Sequence, residues 1–157
     1  MKIVLISIRK DDDKAYKAAM DDYISRIKRF IPFELQIIDI GKKIPSMPIP
    51  KQKMEEGKLL QKSLKQGDHI ILLDEKGKSF TSKEFAKHIE KKMLLSYHRL
   101  VFVIGGPFGF SDEVYALTNE KLALSKMTFS HQMIRLFFVE QLYRAYSILN
   151  NGKYHHE

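Results

Sequence analysis

The stretch from Leu122 to Leu149, LALSKMTFSHQMIRLFFVEQLYRAYSIL, limits the possible folds more than any other part of the chain. It reads as a short strand, a polar loop from Ser125 to Ser130, and one long helix whose apolar residues do not keep to one face. At about 100° per residue, Met133, Phe137 and Ile148 point away from Leu136, Val139 and Tyr143. A helix that is apolar on several sides is covered on several sides. Arg135 and Arg144 then fall about 180° apart, on the two thin polar edges that remain. The simplest cover is the chain's own sheet on one flank and a second subunit on the other. A homodimer is therefore expected, with Arg144 near its interface.

The rest of the chain alternates strands with helices. Lys2 to Ile8 is a nearly continuous β-branched run, the pattern of a strand covered on both faces. Asp11 to Asp13 suit the start of a helix, because carboxylates stabilise its positive end. That helix is expected to reach about Arg29, with Ala15, Ala18, Ala19, Tyr23, Ile24 and Ile27 facing inward. Glu34 to Ile40 reads as a strand, and Gly41 to Pro50, with three of the five prolines, as a loop. A helix from Lys51 to about Leu64 carries Lys and Gln on its outer side. His69 to Leu73 is a third strand, and Thr81 or Ser82 caps the next helix with Glu84 at the capping-box position. Leu100 to Ile104 is a fourth strand running into Gly105-Gly106-Pro107-Phe108-Gly109, and Ser111 opens a short helix. This order predicts a single α/β domain over residues 1–157, built on a parallel sheet wrapped on both faces.

Ligands of such sheets sit beyond the carboxyl ends of the strands. Three loops occupy that position: the one after Leu73, the glycine loop 105–109, and Ser125 to Ser130. The order GGPFG fits neither the dinucleotide fingerprint nor a phosphate cradle, and Gly77-Lys78-Ser79 lacks the first glycine of a phosphate-binding loop, since position 72 is Leu72. The chain has no cysteine, no HExxH spacing and no GxSxG elbow, which argues against a metal site and against a Cys or Ser nucleophile. His69, His88 and His98 read as ordinary structural or surface residues. The 27 Lys plus Arg exceed the 19 Asp plus Glu, and the formal charge of +8 favours a polyanionic partner. Six apolar or small residues between Lys2 and Arg9 are too few for a signal sequence, and no run approaches the roughly 20 residues of a membrane span, so a cytoplasmic location without membrane contact is expected.

Four segments carry a resemblance: Val103-Ile104-Gly105-Gly106-Pro107, Leu124 to Gln132 (LSKMTFSHQ), Glu140 to Ala145 (EQLYRA) and the closing Tyr154-His155. Together, in order and at similar spacing across the whole chain, they resemble the RlmH family of small SPOUT-class methyltransferases, which modify a pseudouridine in bacterial large-subunit ribosomal RNA. The resemblance implies a parallel α/β sheet with a C-terminal trefoil knot, an exception to the rule against knots, and a dimer acting on the ribosome. It implies S-adenosylmethionine bound by Leu73, Gly105, Leu124, Ser125, Lys126, Met127, Thr128 and Phe129. It also implies methyl transfer to N3 of pseudouridine, with His131 accepting the proton or orienting the base, Arg135 and Arg144 holding phosphate or a uracil oxygen, and Tyr154 and His155 closing over the flipped base. The family often carries proline where this chain has Ser130; serine keeps a helix cap available. Two other readings compete: a ribosome-binding factor without turnover, and a small-molecule α/β enzyme whose charge is incidental.

Overall fold

Five apolar residues, Ile3 to Ile6 and Ile8, broken only by Ser7, make β1 (Lys2–Ile8) an interior strand of the sheet, with strands on both sides of it. The computed structural model describes residues 1–8 and 13–156. After β1 come α1 (Lys14–Ile27), β2 (Phe33–Ile38), a 3₁₀ turn at Ile44–Ser46, α2 (Ile49–Ser63), β3 (His69–Ser79), α3 (Ser82–Leu94), β4 (Arg99–Ile104), α4 (Asp112–Leu117), β5 (Glu120–Ala123) and α5 (His131–Leu149). The strand order is β2-β1-β4-β3-β5 and every pairing is parallel. Ile3, Leu5, Leu100 and Phe102 bury one face of the sheet against α1, α3 and α5, while Val4, Ile6, Val101 and Val103 bury the other with Leu60 of α2 and Val114 of α4. The parallel α/β sheet expected from the alternation is present. Among the described residues, no helix is long and apolar enough to cross a membrane, and no group of three or more His, Cys, Asp or Glu is placed to hold a metal ion.

Several local expectations need correction. Asp13 caps α1 by accepting the Ala15 amide at 2.9 Å, whereas Asp11 and Asp12 lie outside the described residues. The buried stripe of α1 follows Met20 and Ile27, and Ala15 and Ala18 are exposed, because a one-carbon side chain cannot span the gap that Tyr16 and Tyr23 fill. β2 stops at Ile38, where Asp39 turns the chain by accepting the Gly41 amide at 2.8 Å. On α2, Gln52 and Glu56 point inward rather than to solvent; at spacing i, i+4 they share a stripe with Leu60, and Gln52 Nε2 donates to Glu56 Oε1 at 3.1 Å. β3 does not end at Leu73. Its polar continuation loops out and rejoins β5 at Lys78, so Leu122 pairs with both Leu73 and Lys78.

The long helix α5 lies between α1 and α3 over β4. Phe138, Val139, Leu142 and Ala145 are buried, and the Phe138 ring meets Phe102 at 4.6 Å. One flank meets α1, where the Tyr16 hydroxyl donates to Met133 Sδ at 3.0 Å, and the other meets α3, where the Ser82 hydroxyl donates to Gln141 Oε1 at 3.0 Å. Much of the cover that the apolar pattern calls for thus comes from the chain itself. Leu136, Tyr143 and Ile148 stay half-buried.

At the amino end of β5, Glu120 gathers three partners from two other elements: His69 Nε2 of β3 at 2.7 Å, and His88 Nε2 at 2.9 Å and Lys92 Nζ of α3. Burial pulls the His88 pKa below the usual histidine value. Burial acts upward on Glu120, yet its bonds to Lys92 and His69 hold the carboxylate below its usual range. Two of the three histidines read from sequence as ordinary residues, His69 and His88, are this carboxylate's partners.

Candidate active site

The carboxyl ends of β3, β4 and β5 surround a cleft of about 400 Å³, a size within the ~300–1,000 Å³ typical of small-molecule sites. Leu73, Ile104, Leu122, Leu124 and Ile134 give it an apolar floor. Its walls are the glycine loop 105–109 and the loop before α5, including Ser125, Met127, Thr128 and Phe129.

Local chemistry explains the shape of both walls. In Gly106-Pro107-Phe108-Gly109 the Gly109 amide bonds the Gly106 carbonyl at 3.2 Å, and Gly109 has φ +81°, a turn suited to Pro at its second place and Gly at its fourth. Gly105 lies against the Phe110 ring, where a Cβ would come within 2.8 Å of Cε1. Gly106 lies against the buried Glu56 carboxylate, where a Cβ would approach Oε1 to 2.7 Å and Oε2 more closely still. Bare backbone is therefore enforced from behind, and the loop presents its peptide groups to the cleft. On the other wall, the Ser125 hydroxyl accepts the Met127 amide at 3.0 Å, and Ser130 caps α5 by accepting the Met133 amide at 3.4 Å. The cap that serine makes available in place of proline is formed.

The rim where β3 passes from its apolar half into its polar continuation is acidic. Asp74 accepts the Tyr115 hydroxyl at 2.5 Å and the Lys76 amide at 2.8 Å, and Glu75 accepts the Thr128 hydroxyl at 3.2 Å. Burial and the bond to Asp74 push the Tyr115 pKa up to about 12, so this phenol remains a neutral donor. Sequence reasoning passed over Asp74, Glu75 and Tyr115, although the strand-end position of Asp74 was the signal for it.

Of the residues expected to bind a cofactor, Leu73, Gly105, Leu124, Ser125, Met127, Thr128 and Phe129 all line the cleft, together with His131. Lys126 does not; its neighbours face in and it is exposed. Arg135, expected to hold phosphate or a uracil oxygen, is only 3% exposed. Its Nε donates to the Ser7 hydroxyl at 2.7 Å and its Nη2 to the Ile8 carbonyl at 3.4 Å, which ties α5 to the end of β1.

Arg144, Tyr154 and His155 come together elsewhere. Arg144 is held by Glu140, and its guanidinium lies 4.6 Å from the centre of the Tyr154 ring. The Tyr154 hydroxyl bonds Glu140 Oε1 at 3.1 Å and the Tyr23 hydroxyl at 2.9 Å. Burial, then the bond to Tyr23, drives the Tyr154 pKa well above that of a free phenol, which rules it out as a base. Arg144 Nη1 faces His155 Nδ1 at 3.4 Å. A guanidinium can only donate, so Nδ1 accepts and the ring proton sits on Nε2. That Nε2 is buried and has no hydrogen-bond partner among the described residues. None of these residues lines the cleft. Thirteen residues of helix separate His131 from Arg144, about 20 Å at 1.5 Å per residue.

The cleft lies where parallel α/β sheets hold their ligands, beyond the carboxyl ends of the strands, between bare glycine peptides and the loop before the last helix. The chain belongs to the SPOUT methyltransferase family: the family model described as "Predicted SPOUT methyltransferase" matches residues 1–155. It is 53% identical, over 157 residues and all of both chains, to the "Ribosomal RNA large subunit methyltransferase H" of Parabacteroides distasonis. The protein of the same name from Bacteroides thetaiotaomicron is also 53% identical over the same full extent. Among solved structures, a probable methylase family protein from Haemophilus influenzae Rd KW20 superposes with a TM-score of 0.53 at 12% identity, covering 95% of this chain and 66% of that one, a likeness of fold.

Proposed function

We propose that this chain transfers a methyl group from S-adenosylmethionine to N3 of a pseudouridine in large-subunit ribosomal RNA, as a homodimer in the cytoplasm whose two subunits each complete the other's site. The observation that carries this reading is the division of the site residues into two groups on one helix, on a chain half-identical from end to end to large-subunit ribosomal RNA methyltransferases.

The cleft fits the cofactor. Its apolar floor suits adenine, its glycine peptides leave space for ribose and methionine, and Asp74 and Glu75 offset the positive charges of the sulfonium and amino groups. When bound, S-adenosylmethionine supplies an electrophilic methyl group. The protein's part is to place N3 in line with that methyl and to let the N3 proton leave. His131, inside the cleft, is positioned to accept that proton or to orient the base. The Arg144 guanidinium, backed by His155, offers a donor to a uracil carbonyl, where charge builds as the proton departs. The Tyr154 ring is a platform for a flipped base. Arg135 acts indirectly by fixing α5 to β1. The half-buried Leu136 and Tyr143 share the edge of α5 that this reading gives to a second copy, and the family reading adds a C-terminal trefoil knot.

The test is to incubate the protein with labelled S-adenosylmethionine and large ribosomal subunits from a strain lacking the modification, then to map the label. Label at N3 of a single pseudouridine is the expected result. Cofactor binding without label would favour a ribosome-binding factor, and absence of both would overturn the reading.

A further inference from the structure

The positive charge of the chain is concentrated in one segment. From Lys42 to Lys65 seven lysines stand against two glutamates, which places +5 of the whole chain's +8 there. One of those glutamates, Glu56, is buried against Gly106 and does not reach the surface. The helical repeat gathers the lysines of α2. Taking the buried Gln52 as zero, Lys51, Lys58 and Lys62 fall at about −100°, −120° and −80°, a single stripe. The 3₁₀ turn packs along the same flank, where Ile44 with Glu55, Lys58, Leu59 and Lys62 lines a groove of about 470 Å³. Lys42 and Lys43, both exposed, immediately precede that turn, and the Ser46 hydroxyl holds the Lys43 carbonyl at 2.6 Å. Lys58 pairs with Glu55 at 3.0 Å, whereas Lys42, Lys43, Lys51 and Lys62 form no ion pair among the described residues. The surface is next to the cleft. β2 runs parallel to β1, so the turn that follows it lies at the same end of the sheet, and α2 backs the glycine loop through Glu56. It is on the face of the sheet opposite α5, so a second copy on the α5 edge leaves it open.

We propose that Lys42, Lys43 and the Lys51–Lys58–Lys62 stripe form a docking surface for the phosphate backbone of the RNA substrate, which passes from the cleft over the glycine loop onto α2. The proposal rests on the RNA methyltransferase reading and deepens it. An ammonium on a flexible stem is a point charge that follows phosphates without demanding one geometry. Such contacts set the position of a strand and carry no sequence information. The choice of nucleotide is thus left to the cleft, and affinity for the strand comes from α2.

The experiment compares wild type with K51Q/K62Q, K51R/K62R and K87Q/K91Q, using unmodified large ribosomal subunits and labelled S-adenosylmethionine. Lys87 and Lys91 are exposed on α3, across the sheet, so the last variant loses the same charge from the other face. K51Q/K62Q is expected to raise KM for the ribosomal subunit about 10-fold and to lower the slope of log affinity against log salt by about 1–2. Its affinity for protein-free large-subunit RNA falls in step. Its kcat at saturating subunits and its S-adenosylmethionine Kd stay within about 2-fold of wild type, since the cleft is intact. K51R/K62R restores KM and slope, and K87Q/K91Q moves KM less than about 2-fold. Unchanged KM in K51Q/K62Q, or an equal rise in K87Q/K91Q, would overturn the surface and leave the methyltransferase reading standing. A raised KM with unchanged affinity for protein-free RNA would also overturn it, giving α2 to a ribosomal protein. Failure of wild type itself to methylate would overturn both readings.

Discussion

Removing residues 154–157 is expected to leave a folded protein that still binds S-adenosylmethionine but has lost methylation by at least ~100-fold, the scale set by misplacing a reacting group. The cofactor cleft is built from strand ends and loops that the tail does not touch. Its affinity, read by calorimetry, therefore stays within about 2-fold. Stability falls only by about 2–3 kcal/mol, because the tail contributes the Tyr154 ring contacts with Tyr143 and the Arg144 guanidinium, its hydroxyl bonds to Glu140 and Tyr23, and the long His155–Arg144 bond. Substitution of Tyr154 by Phe separates its two roles. The ring keeps its place under the Arg144 guanidinium, and only the hydroxyl bonds are lost. A mild loss of activity would assign the ring as the platform. A loss as deep as the deletion would assign the hydroxyl.

Gly106→Ala is expected to reduce cofactor affinity by about 100-fold and to destabilise the fold by roughly 3 kcal/mol, at the upper end for overpacking a core. The added methyl would land on both oxygens of Glu56, whose side chain is buried at 2% exposure and bonded by Gln52. Neither can swing into solvent. Relief must come from the glycine loop, which then moves into the cleft. Gly67→Ala is the control: it has φ +86° with nothing within 4 Å of a Cβ, so its cost is backbone strain alone, about 1–2 kcal/mol, with the cleft unaffected. In a Glu56→Ala background the added cost of Gly106→Ala shrinks to under about 1 kcal/mol, a coupling that chemical denaturation of the four proteins would measure. Equal costs in both backgrounds would remove Glu56 from the account.

Much of this architecture is legible in the residues themselves. The apolar runs at Lys2–Ile8 and Arg99–Ile104 can only be central strands, and Ser130, Ser111 and Thr81 announce the helix starts they cap. The cleft was legible as well, because strand ends followed by glycine or by a polar loop are where a parallel sheet leaves space. What escaped has a common cause. The β3 continuation through Asp74 to Ser79 is too polar to read as strand, and it pairs because β5 offers a second register. Gln52 and Glu56 look like surface residues until their partners, each other and the glycine loop, are in place. Glu120 unites His69, His88 and Lys92 across dozens of residues, a proximity that no local pattern encodes. The gathering of Arg144, Tyr154 and His155 is likewise tertiary; only the likeness to a family singled those residues out.

On the proposed mechanism, one subunit's cleft works with the other's Arg144–Tyr154–His155 cluster. Heterodimers test it most directly. One chain carries Leu124→Arg, which sets a long charged side chain across the cofactor cleft, the other lacks residues 154–157, and a different affinity tag on each allows only mixed dimers to be isolated. Each parent homodimer is expected to be inactive. The mixed dimer holds one intact cleft facing one intact tail, so it should methylate large ribosomal subunits at roughly half the wild-type rate per dimer, as two-fold symmetry requires. A mixed dimer as inactive as its parents would mean that cleft and tail must come from the same chain, and would contradict the shared site.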